Sequence, residues 1–186
     1  MPKSESVEPP ASAAAEDPDP PRGIAVDVVH QAGDWQSLGD VAASIGPLLD
    51  AVGEHPSLKS HMPSEACLAL ADDAAVRALN STFRAKDSPT NVLSFPSGLP
   101  VESGQPQALG DIILAFETVV AEASEQGIAP ADHVRHLVLH GLLHLMGFDH
   151  QNDAEAEGME ALEIEILAKI GIANPYDEAA VAPVTK

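Results

Sequence analysis

The chain has 186 residues, which is the size of one domain with or without tails. Nine Lys and Arg stand against 29 Asp and Glu, and the net charge of −20 excludes a basic protein that coats nucleic acid. The single cysteine, Cys67, excludes a disulfide scaffold and a cysteine-rich zinc site. The sequence has no apolar run of membrane-spanning length and no secretory signal, so we expect a cytoplasmic protein.

The two ends of the chain differ in composition from its middle. Residues 1–22 hold six of the sixteen prolines and no Leu, Ile or Phe, which predicts a disordered Pro/Ala/Glu-rich tail. Residues 173–186 are predicted to be a second, shorter tail. The predicted folded domain is therefore 23–172.

The first half of this domain alternates between strand and helix signals. The β-branched alternation of residues 23–29 and the apolar run of 66–71 predict strands. Between them, the spacing predicts a helix over 34–52 that is capped by Asp34 and kinked or split at Pro47. The next predicted elements are a helix capped by Asp72, a loop, a short strand and a long loop, at 72–83, 84–90, 91–95 and 97–108.

The second half begins with the most apolar strand, predicted at 109–116, and continues with helices. These helices are each followed by a glycine and are predicted at 117–126, 131–146 and 153–170. The pattern predicts an α+β single domain in which a small mixed four-stranded sheet packs against about five helices. The helix at 131–146 is apolar nearly all round, so we expect it to be buried at the centre.

Three other features are interpreted as structural or supporting. Cys67 and Trp35 are expected in the core, and the glutamates of the last helix (Glu155, Glu157, Glu160, Glu163 and Glu165) are expected on a solvated face. The buried stripe of that helix is predicted to be Met159, Leu162, Ile166 and Ile170. Asp111 lies in an otherwise apolar strand, so a buried carboxylate there needs an Arg or a histidine N–H as partner.

The predicted central helix carries the residues most suited to chemistry, in the segment HGLLHLMGFDH at 140–150. His140 and His144 are four residues apart and therefore share one helix face. Gly147 permits a sharp helix end, which allows the chain to bring His150 to the same point. Three imidazoles without a cysteine suit one zinc ion with an open fourth position, although nickel or copper would also accept them.

Two alternatives compete with this interpretation. His136 and His140 are also four residues apart with His133 nearby, but no turn residue brings a third ligand to that register. The triad spacing also matches the zinc-protease motif H-E-x-x-H-x-x-G-x-x-H, except that Gly141 occupies the position of the glutamate that serves as general base. Without that base, an electrophile such as a phosphodiester fits better than a peptide.

A second segment, RAKDSPTNVLSFP at 84–96, places Arg84 and Lys86 in a predicted loop. They are two of only five cations between residues 23 and 150. A guanidinium can bind a phosphate through two donors, so Arg84 is a candidate for orienting a substrate phosphate. The alternative is that the pair belongs to a solvated surface loop.

These two segments, together with LGDI at 109–112, resemble the YbeY family of bacterial endoribonucleases over roughly residues 23–172. The resemblance implies one Zn²⁺ per chain on His140, His144 and His150, and catalytic roles for Arg84 and His140. Asn91 stands where many members have Asp, which weakens a catalytic role for that position.

The resemblance also implies an activity and its partners. The expected activity is single-strand-specific RNA cleavage in small-subunit rRNA 3′-end maturation and in ribosome quality control. The expected partners are single-stranded RNA or rRNA and the small ribosomal subunit or its proteins, with no membrane or DNA partner. A zinc metalloprotease-like hydrolase and a non-catalytic ribosome-assembly factor with structural zinc stay open as alternatives.

Overall fold

The computed structural model of the chain describes residues 23–100, 105–150 and 152–177. The predicted tail 1–22 lies outside these residues, as do residues 178–186 of the second predicted tail. The boundaries placed there stay predictions. Within the described residues, no helix is long and apolar enough to cross a membrane.

A mixed four-stranded sheet forms the frame of the molecule, as the sequence predicts. Its strands are β1 (Ile24–His30), β2 (Ser64–Ala71), β3 (Val92–Pro96) and β4 (Gln107–Ala115). The order across the sheet is β1-β2-β4-β3. β1 and β4 run parallel to β2, whereas β3 runs antiparallel to β4. Three parallel strands need crossover connections, and helices supply them.

Five α-helices lie within the described residues: α1 (Val41–Glu54), α2 (Asp73–Arg84), α3 (Phe116–Gln126), α4 (Pro130–Leu145) and α5 (Asp153–Lys169). The side chain of Asp72 accepts a hydrogen bond from the Ala75 N–H at 2.8 Å and so caps α2 as predicted. Asn152 caps α5 in the same way, accepting from the Glu155 N–H at 3.0 Å. The α+β class and the helix count are therefore confirmed.

The predicted helix over 34–52 is wrong in its start and in its break point. Residues Trp35–Leu38 form a short 3₁₀ helix, and Gly39 separates it from α1 because its φ of +87° is a left-handed conformation. Asp40, not Asp34, provides the cap by accepting from the Ala43 N–H at 3.0 Å. α1 then continues through Pro47 without a break. A second 3₁₀ helix, Pro56–His61, was not predicted.

The main core lies between one face of the sheet and helices α1, α4 and α5. Leu68 and Leu70 of β2 and Ile112 of β4 are fully buried there against α4 residues such as Leu142. α4 is therefore the buried central helix that its composition predicts. On the other face, α2 packs Val76 over a smaller cluster, so that half of this face is covered.

The uncovered half of that face overturns two predictions, the burial of Asp111 and the place of Cys67 in the core. Asp111 is exposed there, beside Asp27 and Cys67, although its apolar neighbours predict burial. The reason is that α2 covers only the end of the strands, so the alternation of β4 turns Asp111 toward solvent. Cys67, opposite Asp111 in the register, is half-buried, and burial together with these two carboxylates raises the pKa of its thiol. Trp35 is buried as predicted.

Candidate metal centre

The three predicted histidines come together at the C-terminal end of α4. The Nε2 atoms of His140 and His144 lie 3.1 Å apart. The helix ends where Gly147 adopts a φ of +92°, and the chain turns so that His150 joins the pair. One nitrogen from each of the three rings lies within 4.8 Å of the others. The triad is therefore a group that could hold one metal ion.

Hydrogen bonds on the outer side of two rings fix which nitrogen faces inward. The Nδ1–H of His144 donates to the carbonyl oxygen of Phe148 at 3.0 Å, since a carbonyl can only accept. The Nδ1–H of His140 donates to Oε1 of Glu163 at 2.9 Å. Both Nε2 atoms consequently present lone pairs to the same point. Burial, with the neighbouring His140 and His150, lowers the pKa of His144, which favours the neutral ligand form.

The spacing of these nitrogens fits a small transition-metal ion. Tetrahedral ligands at the usual Zn–N distance of about 2.05 Å lie roughly 3.3 Å apart. The observed separation of 3.1 Å between the Nε2 atoms of His140 and His144 is close to this value. Two lone pairs facing each other at that distance repel, and a cation between them removes the repulsion. The donor set and its geometry therefore suit one ion.

Glu163 of α5 is the important residue of this site that sequence reasoning missed. It was expected on a solvated face, but it is 0% exposed. Besides His140, it contacts Nε2 of His136 at 3.1 Å and the hydroxyl of Tyr176. Burial alone would raise the pKa of Glu163, but these hydrogen bonds outweigh it and lower the pKa to about 2.

A signal for this burial exists in the sequence. Glu163 lies four residues after Met159 and three before Ile166, which places it inside the predicted apolar stripe of α5. Met159, Leu162 and Ile166 of that stripe are buried, whereas Ile170 is only partly buried. A carboxylate on a buried stripe needs a partner, and the histidines of α4 were the available ones. Glu163 thus provides the carboxylate partner of a ligand histidine, a role that the sequence analysis assigns to Asp111.

In the alternative set of His133, His136 and His140, ring nitrogens of the first two residues contact carboxylates. Nε2 of His133 lies 2.8 Å from Oε2 of Glu122, and Nε2 of His136 faces Glu163. The ring centroids of His136 and His140 are 6.4 Å apart. Among the described residues, His133 and His136 are not part of the group that could hold a metal ion.

Arg84 and the triad line one cleft with a volume of about 500 Å³. Arg84 is exposed and is the last residue of α2 rather than part of the following loop. Asn91 also lines the cleft, and its side-chain N–H donates to Oε2 of Glu122 at 2.9 Å. Lys86 is not among the residues that line it. The cleft therefore combines the three imidazoles with one guanidinium.

Gly141 is buried against the sheet, in close contact with Ile112. A Cβ atom at this position would lie 3.0 Å from two side-chain carbons of Ile112. Ile112 itself is 0% exposed, so it would have to shift within a packed core to make room. A larger residue at position 141 would therefore press on Ile112, and Gly141 itself offers no proton carrier of the kind that zinc proteases use.

Comparisons with known proteins agree with this description. A family model described as Endoribonuclease YbeY matches residues 30–171. A relative of that name from Rhodospirillum rubrum is 50% identical over 172 residues, which cover 87% of this chain and 84% of the relative. Another, from Azorhizobium caulinodans, is 49% identical over 153 residues and covers 81% and 95% of the two chains.

The fold is also found in a solved structure. The solution structure of TM1509 from Thermotoga maritima has a TM-score of 0.54 and 21% sequence identity. The match covers 82% of this chain and 99% of that chain. Together, the fold, the histidine cluster and the extent of the sequence matches lead to one conclusion: the chain belongs to the YbeY endoribonuclease family.

Proposed function

We propose that the protein is a zinc-dependent endoribonuclease that cleaves single-stranded RNA. Its proposed role is the maturation of the small-subunit rRNA 3′ end and ribosome quality control in the cytoplasm. The observation that carries the proposal is the cleft that Arg84 shares with His140, His144 and His150 in a chain of this family. The proposed partners are single-stranded RNA or rRNA and the small ribosomal subunit or its proteins.

Each residue of the cleft has a defined task in this proposal. His140, His144 and His150 would hold one zinc ion, with His140 oriented by Glu163. Zinc supplies Lewis-acid activation of water and of a phosphate oxygen when it is bound there. Arg84 binds the non-bridging oxygens of the scissile phosphate and stabilises the negative charge that grows on them during attack. Both His140 and Arg84 are therefore assigned catalytic roles.

The acidity of the protein is compatible with an RNA substrate. The charges that meet the phosphate are local, because Arg84 faces the cleft and a bound divalent ion adds two positive charges. The backbone of a flexible single strand can approach such a point without lying along the whole acidic surface. This geometry favours a single-stranded substrate over a duplex.

The two alternative functions lack supporting observations. A metalloprotease requires a general base next to the metal ligands, and Gly141 packs against Ile112 in that place. A purely structural zinc site usually has four protein ligands, whereas this triad opens into a cleft of about 500 Å³. The cleft therefore favours a catalytic site.

The proposal is tested by incubating the protein with single-stranded RNA and with casein, each with and without a chelator. We expect RNA cleavage that the chelator abolishes, and no cleavage of casein. His144→Ala protein purified in parallel controls for contaminating ribonuclease. Chelator-sensitive casein cleavage would instead support the protease, and RNA binding without any cleavage would support the assembly factor.

A further inference from the structure

A second groove, with a volume of about 560 Å³, adjoins the metal cleft. Asn91, Val92 and His140 line both of them, so the two spaces meet at these residues. The second groove is also lined by Glu122, His136 and Tyr176. This volume lies in the range of small-molecule binding sites. A strand whose phosphate lies at the triad would therefore place a neighbouring nucleoside in this groove.

Tyr176 offers a fixed aromatic surface in the groove. Its hydroxyl contacts the buried carboxylate of Glu163, and its ring stands edge-on to His136 with centroids 5.6 Å apart. The residue nevertheless stays 39% exposed. Bases of single-stranded nucleic acids stack on aromatic side chains of this kind, because every base has a flat π face. Tyr176 lies in the segment 173–186 that the sequence alone predicts to be a tail.

Glu122 offers a hydrogen-bond acceptor in the same groove. Its Oε2 atom accepts from the Nδ2–H of Asn91 at 2.9 Å and faces Nε2 of the buried His133 at 2.8 Å. These two contacts hold the carboxylate in place. Within the part of the chain that the structure describes, none of the hydrogen bonds involves the other oxygen, Oε1. A partly exposed, oriented carboxylate oxygen accepts from exocyclic amino groups of bases.

We propose that this groove is a base-binding subsite for a nucleotide next to the scissile phosphate. The base stacks on Tyr176, and its exocyclic amino group donates to Oε1 of Glu122. Cytosine, adenine and guanine carry such an amino group, whereas uracil offers only its N3–H, which lies between two carbonyl oxygens that a carboxylate repels. The inference rests on the proposed function, because it assigns the base selectivity of the same RNA site.

The charged residues of the groove and of the metal cleft agree with a base in the groove and a phosphate in the cleft. The groove contains Glu122 and Glu125, which would repel a phosphate but not a neutral base. The cleft contains Arg84 and the triad, which attract the phosphate. One nucleotide can therefore bind across both spaces with its phosphate and base at opposite ends.

Tyr176 makes a direct test possible, because it is the single tyrosine of the chain. Full-length, zinc-loaded protein with ¹³C-labelled tyrosine gives one set of ring signals in NMR spectra. We expect CMP to shift these signals saturably, UMP to bind about tenfold more weakly, and ribose 5-phosphate to leave them unchanged. Equal shifts with CMP and ribose 5-phosphate, or no shift with CMP, would overturn the inference.

Variants assign the selectivity to named side chains by calorimetric titration with the same nucleotides. Glu122→Gln should reduce the preference for CMP over UMP to about twofold or less, whereas Glu125→Gln, the matched control in the same groove, should keep it. Tyr176→Leu should weaken CMP binding about tenfold, and Tyr176→Phe should retain most of the affinity because it keeps the ring. An unchanged preference in Glu122→Gln protein would contradict the assigned contact.

This test is independent of RNA cleavage, since nucleoside monophosphates contain no phosphodiester bond to break. Base-selective titration in a protein that cleaves no RNA would reject the proposed function and retain the nucleotide subsite. RNA cleavage by a protein whose tyrosine signals do not change when CMP is added would reject the subsite and retain the proposed function.

Discussion

Oε1 of Glu163 lies 2.9 Å from Nδ1 of His140, and this buried contact joins α5 to the candidate metal centre on α4. The carboxylate fixes the His140 ring so that its Nε2 atom faces Nε2 of His144. Such outer partners orient a metal ligand and raise its basicity. Because of this contact, α5 is part of the candidate metal centre.

Replacing Glu163 by Gln tests this role. The amide keeps the size of the side chain, but it loses the charge and turns one acceptor into a donor that faces His136 or Tyr176. We expect zinc affinity, measured by competition with a chromogenic chelator, to fall about 10–100-fold. Glu157→Gln, on the exposed face of the same helix, is the control and should match the parent. Parental zinc affinity in Glu163→Gln protein would show that the contact is only structural.

Arg84→Ala tests the proposed phosphate contact. Loss of one donor to transition-state charge typically lowers the rate about 10²–10³-fold, and we expect that loss in single-strand RNA cleavage. Arg84 is exposed, so zinc content and melting temperature should stay near those of the parent. Arg84→Lys should recover only part of the rate, because an ammonium group cannot make the paired contact.

Arg77 provides a matched control for this substitution. It lies on the same helix, but its guanidinium pairs with Asp87 at 2.7 Å on the surface and does not line the cleft. Arg77→Ala should cleave RNA at the parental rate. Equal rates for Arg84→Ala protein and the parent would place Arg84 in a solvated surface role and leave the catalytic assignment to the triad.

Gly141→Ala and Gly158→Ala form a second matched pair. Both glycines lie inside helices, so alanine brings each helix a similar gain in propensity. The new methyl group meets Ile112 at 3.0 Å at position 141, but nothing within 4 Å at position 158. We expect the free energy of unfolding, measured with urea, to be about 1–3 kcal/mol lower for Gly141→Ala than for Gly158→Ala. Equal values would mean that the core beside Ile112 has room for a larger residue.

His133 predicts a specific dependence of stability on pH. Burial lowers the pKa of His133 below its usual 6.5, although the contact with Glu122 opposes this shift. Below pH 6.5 the unfolded chain therefore binds a proton that the folded His133 does not. The contribution of neutral, buried His133 to the free energy of unfolding is complete above pH 6.5. It is lost as the pH falls through the pKa of His133 in the folded protein.

The measurement is urea unfolding of metal-free protein at pH 7.5 and 5.5. The parent should lose more stability between these two conditions than His133→Gln protein, because the variant lacks the titrating group. Zinc is removed from both samples so that metal release does not add to the difference. An identical loss in the two proteins would contradict a depressed pKa for His133.

The sequence predicts those parts of the site that depend on local spacing. The interval of four residues between His140 and His144 fixes their common helix face, and Gly147 permits the turn that brings in His150. The strands and the buried α4 follow from periodicity in the same way. These features need no knowledge of how distant segments pack.

The errors in burial concern contacts between distant segments, unlike the local error in the start of α1 at Asp40. Asp111 was expected to be buried because its neighbours are apolar, but α2 leaves its half of the sheet face uncovered. Glu163 was expected to be solvated because α5 is rich in glutamate, but α5 turns it toward the histidines of α4. Both outcomes depend on which helix covers which surface, and the composition of a single segment does not contain that information.

The central claim is that the triad of His140, His144 and His150 holds the ion on which RNA cleavage depends. Its most direct test adds zinc stepwise to metal-stripped full-length protein while single-strand RNA cleavage is measured. We predict that the cleavage rate of the parent rises from near zero and saturates at one zinc per chain. His30→Ala protein, which is altered at an exposed position, should behave like the parent. His144→Ala protein should stay inactive. A stripped protein that cleaves RNA at the full rate, or a His144→Ala protein that gains activity like the parent, would contradict the claim.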